Sequence, residues 1–226
     1  MRYSIIFITS ILFFSYSLSA KLIIEPYLGV EYDKWSYEET TSVGHELNLS
    51  GNGYGPIYGV KSSVTLFSFL HVGIQYTGNQ LDWVYGKDDS TSVDDNWTDI
   101  TANRTMYGPY IGLHFKKGKK GKDLYRLWFT YGVSDQLSFD QGHKDTESNA
   151  ILYKGKTFMG GIGRIIGSKS SSIFLNIEFG QTSYTQREEN GVTIDLPGTS
   201  NSNNYKSLKN IFGSINIGLN MSFFKK

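Results

Sequence analysis

From about Leu22 to Phe224 the chain falls into eight stretches in which apolar residues recur at every second position. That period belongs to a β-strand whose two faces meet different surroundings. In the last stretch, Ile211 to Phe224, Ile211, Gly213, Ile215, Ile217, Leu219, Met221 and Phe223 form an apolar row, and Ser214, Asn216, Gly218, Asn220 and Ser222 a small polar one. The same reasoning predicts strands over Leu22 to Asp33, Gly53 to Ser62, Phe69 to Gly78, Arg104 to Phe115, Leu124 to Val133, Lys156 to Ile166 and Ser172 to Thr182. The sixth, Lys156 to Ile166, is rich in glycine and fits either parity, so its faces stay unassigned.

The links between these strands alternate in length. Short ones lie near Ser62 to Ser68, Lys116 to Asp123 and Gly167 to Ser171; long ones near Lys34 to Asn52, Asn79 to Asn103, Ser134 to Gly155 and Ser183 to Asn210. Connections beyond about 12–15 residues are uncommon in soluble domains, whereas bacterial membrane barrels join short periplasmic turns to long extracellular loops. The expected fold is all-β: a closed antiparallel eight-stranded transmembrane β-barrel, with the apolar rows facing lipid and the polar rows filling the lumen. A soluble secreted barrel binding a small ligand, with the faces reversed, is the alternative that alternation alone leaves open.

Tyr32, Tyr54, Tyr76, Tyr107 and Tyr131 sit on the apolar parity at the long-link ends, and Phe115, Tyr125 and Phe223 near the other end. Two rings of aromatics suit the two headgroup interfaces of a bilayer, although ordinary β-propensity also favours such residues. The opposite parity carries Glu25, Glu31, Lys61, His71, Gln75, His114, Arg126 and Glu178. An eight-stranded barrel is narrow enough for side chains to fill it. Lys61 and Arg126 are therefore expected either to pair with some of Glu25, Glu31 and Glu178 as a polar plug, or each to be hydrated separately. Pro26, Pro56 and Pro109 fall inside predicted strands, where a proline cannot donate to a ladder; bulges or strand ends are expected there.

The pattern Asn216-x-Gly218-x-x-Met221-x-Phe223 resembles the closing-strand signal by which outer-membrane β-barrels are recognised by their assembly machinery. From Leu22 to Phe224 the chain resembles the eight-stranded outer-membrane barrels, the group of the OmpA transmembrane domain, OmpX and OmpW. The resemblance implies a monomer in the bacterial outer membrane, contacting its lipids and lipopolysaccharide and handled in biogenesis by the barrel-assembly machinery. It implies envelope structure, surface interaction or limited small-solute passage rather than an enzymatic activity, and no cofactor.

Residues 1–20, with Arg2, an apolar run from Ile5 to about Phe14 and small residues at Ser17, Ser19 and Ala20, read as a cleaved secretory leader. Residues 21–226 are then the barrel domain. The run is shorter than the ~20 residues of a spanning helix. Net charge is +1 over 226 residues and becomes neutral if Arg2 leaves with the leader, which gives no electrostatic footprint for nucleic acid. Cysteine is absent, removing disulfide, thiolate and cysteine-metal chemistry.

His45, His71, His114 and His143 have no metal-ligand spacing. None is followed two residues later by serine, the pattern that a resemblance to lipid A deacylases would require. A lipid-modifying enzyme assembled from scattered His, Asp and Ser stays open as an alternative function. Asp82, Asp88, Asp89, Asp94, Asp95 and Asp99 in one long link read as a solvated charge run or a cation bridge to lipopolysaccharide. Lys116, Lys117, Lys119, Lys120 and Lys122 could meet anionic headgroups at the opposite end.

Overall fold

The structure, a computed structural model, describes residues 21–66, 69–85, 100–117, 123–140, 151–167, 171–189, 191–200 and 203–223. The expected leader, most of the acidic run and most of the lysine-rich turn lie outside the described residues. The strands are β1 (Leu22–Thr40), β2 (Glu46–Leu66), β3 (Leu70–Tyr85), β4 (Ile100–Lys117), β5 (Asp123–Asp140), β6 (Ile151–Ile166), β7 (Ser171–Glu189), β8 (Val192–Asp195), β9 (Gly198–Ser200) and β10 (Asn203–Phe223). Strands β1 to β7 pair antiparallel in chain order, and β10 pairs with both β7 and β1, which closes an eight-stranded barrel. No backbone edge is left along these eight strands, the condition a sheet must meet in a hydrocarbon phase. The short β8 and β9 extend β7 and β10 as an outer flap.

The facings follow the alternation. Leu28, Ile74 and Phe158 point outward with 67, 66 and 69% of their surface exposed, while Glu25, Lys61 and Glu178 point inward and are buried. In β6, Thr157, Met159 and Ile165 face the lumen, and Phe158, Ile162 and Ile166 face out. Its glycines match this assignment: a Cβ on Gly161 would lie 2.4 Å from Trp128 Cζ2, so the missing side chain leaves room for the indole. Gly161→Val is expected to cost about 1–3 kcal/mol by overpacking, seen as a lower denaturation midpoint. Gly160→Val, on the outer face beside the Phe129 ring, should lower it less.

The strands are longer than predicted. The span 34–52, expected as a loop, is the outer half of a hairpin in which β1 and β2 stay paired to Thr40↔Glu46. Its turn includes Gly44 at φ 82°, a left-handed conformation that glycine adopts without steric cost. The spans 79–85, 100–103, 134–140, 151–155, 183–189 and 203–210 are likewise strand.

Across these outer segments the sidedness reverses. Trp35, Leu81, Ala102, Leu137, Tyr153, Tyr184 and Leu208 point inward as one buried cluster, while Lys34, Asn52, Gln80, Thr105, Gln136, Lys156 and Lys209 are exposed on the wall. Below the tyrosine ring the barrel is apolar outside and polar within; above it the outside turns polar, and past the tier of Asp33, Arg104 and Asp135 the inside turns apolar. The sequence rule that one parity stays apolar therefore ended each strand too early.

Pro26, Pro56 and Pro109 lie within strands, not at their ends, and each sits where one ladder is interrupted. The β1·β10 ladder skips from Ile24↔Met221 to Tyr27↔Gly218 around Pro26. The β2·β3 ladder skips from Tyr54↔Asp82 to Ile57↔Asn79 around Pro56. The β4·β5 register shifts between Tyr107 and Tyr110, around Pro109. A missing N–H is thus accommodated by a local gap or bulge while the other ladder of the strand continues.

Candidate functional site: a filled and charged lumen

Three cations from different strands organise the lumen, each paired with at least one carboxylate. Nearest the short turns, Arg126 of β5 donates from Nη1 to Glu25 Oε1 at 2.5 Å and from Nη2 to Asn176 Oδ1 at 2.7 Å. Its guanidinium lies over the Phe174 ring, 4.1 Å from the centroid. Asn220 also donates to Glu25 Oε1. Beside this group the rings of His71 and His114 stack with centroids 3.6 Å apart.

In the middle, Lys61 of β2 donates to Glu178 of β7; both are fully buried. The ammonium also lies 4.0 Å from the Trp128 ring centroid, a favourable place for a cation that has lost its water. Around the pair, Gln75 donates to Tyr27 Oη at 2.9 Å and accepts from Thr130 at 2.7 Å. Toward the long loops, Arg104 of β4 donates from Nη2 to Asp135 Oδ2 at 2.7 Å and to Thr182 Oγ1 at 2.7 Å, and from Nη1 to Glu31 Oε1 at 3.2 Å. Asn79 also donates to Glu31, and Asn210 donates to Asp33 at 2.8 Å.

Buried charges persist only when paired and hydrogen-bonded, and each of these cations has at least one such partner on a non-adjacent strand: Glu25 and Asn176 for Arg126, Glu178 for Lys61, and Glu31 and Thr182 for Arg104, which also meets Asp135 of the neighbouring β5. The pairs therefore cross-link the cylinder through its centre. Within this network a cavity of about 10 Å³ is bounded by Glu31, Thr77, Asn79, Arg104, Met106, Met159 and Phe212, which is room for about one water molecule. Two concavities of about 500 and 540 Å³ lie on the outer wall instead, near Pro109 and Pro26.

Above the charged tiers the apolar cluster of Trp35, Leu81, Leu137, Tyr153, Tyr184 and Leu208 fills the bore, with Tyr37, Phe139, Ile151 and Leu196 packed against it. Burial pushes the Tyr153 hydroxyl up to about 12, against the opposing effect of Arg187. Arg187 donates to Tyr153 Oη at 3.2 Å and lies 4.3 Å from the Tyr205 ring centroid.

All five residues singled out for the lumen, Glu25, Glu31, Lys61, Arg126 and Glu178, are inside and buried. Lys61 meets Glu178 and Arg126 meets Glu25, but Glu31 meets Arg104, which the sequence reading passed over together with Asp135 and Asn176. Asp135 lies in the span 134–155 expected as a link; the inward parity of β5 continues past Gly132, across the bulge near Val133, to reach it.

Tyr32, Tyr54, Tyr76, Tyr107 and Phe223 are exposed on the outer wall, and Tyr131 is partly covered by Phe158, 4.9 Å away. In the closing strand Asn216 is buried, Met221 is half-buried, and Gly218 leaves the space occupied by the Phe174 ring, which a Cβ would meet at 2.5 Å. His45 is exposed in the first hairpin turn, and His143 lies outside the described residues. Among the described residues no group of three His, Asp or Glu side chains is arranged to hold a metal ion.

No family model and no curated protein matches the chain. Among solved structures it is similar to the outer membrane protease OmpT from Escherichia coli, with 10% identity over 90% of this chain and 97% of that one and a TM-score of 0.45. It is also similar to Neisserial surface protein A (NspA), with 13% identity over 87% of this chain and 97% of that one and a TM-score of 0.43.

Proposed function

We propose that the protein is a non-enzymatic barrel of the bacterial outer membrane that contributes to envelope structure and surface contact and keeps its lumen closed to solutes. The observation that carries this reading is the reversal of sidedness along one continuous wall. A barrel wholly in water has reason to be apolar inside throughout, and a barrel wholly in lipid to be apolar outside throughout. A wall that changes over at the tyrosine ring suits a cylinder standing partly in each phase. Strand length agrees: the barrel strands hold 16 to 21 residues, where about 9–11 suffice to span a bilayer. The remainder projects as a closed turret that can meet other surfaces.

Closure is supported by the charged tiers and by the apolar cluster above them. A lipid-modifying activity has less support, because His71 and His114 are stacked inside the lumen and buried from the lipid face. Detergent-extracted protein is expected to migrate differently in electrophoresis before and after boiling. Unchanged migration, with solubility in plain buffer, would overturn the membrane reading. Reconstituted into planar bilayers the protein should give no sustained open-channel current; a steady large conductance would overturn the closed lumen.

A further inference from the structure

Above the tyrosine ring, the exposed cationic side chains among the described residues are confined to one part of the wall. Lys34 on β1, Lys209 on β10 and Lys156 on β6 are exposed and have no ion-pair partner among the described residues. Their neighbours Lys154 and Lys206 are instead committed to Glu188 at 2.7 Å and Glu46 at 3.0 Å. At comparable outward positions β2 to β5 present Asn52, Gln80, Asp82, Asn103, Thr105, Gln136 and Ser138. A decoration serving solubility alone would intersperse both signs around the cylinder.

The register gathers the three lysines. Lys209 stands opposite Ser183 of β7, and Ser183 opposite Lys156 of β6. On the other flank Lys209 stands opposite Ser36, two residues from Lys34. Paired strands lie about 4.8 Å apart, which puts the Lys156 and Lys209 backbones about 10 Å apart, while Lys34 and Lys209 are diagonal neighbours at about 7–8 Å. Flexible four-carbon stems can bring these ammoniums onto one multivalent anion between them. Like charges this close repel, and an anion relieves that repulsion. Glu38, also exposed, lies one step further from the membrane, opposite Ser207.

Beneath the lysines the wall turns apolar: Tyr32, Ile211 and Phe158 are exposed, with Gln181 of β7 between the last two, followed by Phe179, Ile215 and Ile177. Positive charge at the edge of a continuous hydrocarbon-facing surface matches a ligand that has an anionic head and acyl chains on one molecule.

We infer that Lys34, Lys156 and Lys209, with Ser36 and Ser183 between them, bind the phosphate groups of an outer-leaflet lipid whose acyl chains lie against Ile211, Phe179 and Phe158. This rests on the membrane reading above. Phosphate is the suitable anion because it carries several acceptor oxygens, enough to take charge-assisted bonds from more than one lysine at once.

The test uses the whole protein in zwitterionic nanodiscs, titrated with purified lipopolysaccharide, with the same lipid after enzymatic dephosphorylation, and with inorganic pyrophosphate. The wild type is expected to bind the phosphorylated lipid, and to bind the dephosphorylated lipid and pyrophosphate at least about tenfold more weakly. The variant K34Q/K156Q/K209Q should lose about tenfold in affinity for the phosphorylated lipid, a difference of about 1.4 kcal/mol, and Lys156→Gln alone a smaller part. K154Q/K206Q should bind as the wild type does.

Equal affinity of the triple variant, or equal loss in K154Q/K206Q, overturns the site. Pyrophosphate binding as tight as the lipid overturns the lipid as its occupant. The electrophoretic shift on boiling is measured on every variant. A wild type without that shift and soluble in buffer indicts the membrane reading, whereas shifted barrels with unchanged lipid affinity indict the lysine site alone.

Discussion

Lys61→Met is expected to destabilise the folded barrel by about 3–5 kcal/mol, the range for removing one partner of a buried ion pair. Lys61 and Glu178 are both fully buried, and the ammonium is enclosed by the Trp128, Tyr27 and Tyr110 rings at 4.0, 5.2 and 5.9 Å. Methionine keeps much of the volume and the contacts with the rings but leaves Glu178 as a carboxylate without its cation. Ser214, at 3.4 Å from Glu178 Oε2, is too distant to replace a charged donor. Adding Glu178→Gln removes the stranded charge, so K61M/E178Q should recover a substantial part of the loss despite carrying more substitutions. The pair is then a coupled unit whose interaction energy a double-mutant cycle measures directly. The readout is reversible urea unfolding in lipid vesicles, followed by tryptophan fluorescence, since Trp128 reports on the site. A double variant no more stable than Lys61→Met would show that the charge imbalance is not the source of the cost.

Lys61, Arg126, Glu25, Glu31 and Glu178 were legible as lumen residues because each stands out against an apolar parity on a strand that the alternation defines well. Their partners were less legible. Which carboxylate faces which cation depends on the stagger of strands around the cylinder, and Lys61 meets Glu178 across 117 positions of sequence. Arg104 and Asp135 were missed for a further reason: they sit near the level where the surrounding medium changes and the apolar parity no longer identifies the outside. Trp35, Leu81, Leu137 and Tyr184, read as loop residues, form the inner core of the turret. A period-two pattern tests for two unlike faces, but it reports a strand's end and a change of solvent in the same way. The sixth strand was illegible because Gly160, Gly161 and Gly163 supply no polarity to either face; only the rings that fill the space, such as Trp128 against Gly161, fix its orientation.

The change of medium along a single strand gives the second large effect. On β7 the outward positions Ile177, Phe179, Gln181, Ser183 and Thr185 climb the wall from the apolar belt past the level of the tyrosine ring. Ile177→Arg places a guanidinium midway up the belt, beside Ile215 of β10 and Ile162 of β6. At the midplane of a bilayer such a substitution costs about 2–4 kcal/mol. Thr185→Arg makes the same chemical change on the same face of the same strand, where the wall is polar, and should cost about 0–1 kcal/mol. Neither position packs into the lumen, so the contrast isolates the surrounding phase from the core. In water an arginine at an exposed outward position would be tolerated at both heights, and in a bilayer only at the upper one. Urea unfolding from lipid vesicles measures both, with the stability of Ile177→Arg expected to fall well below that of Thr185→Arg. Equal and small costs would mean that the exposed Leu28, Ile74, Phe158 and Phe179 side chains are covered by something other than lipid, because a wall this apolar would not remain bare in water.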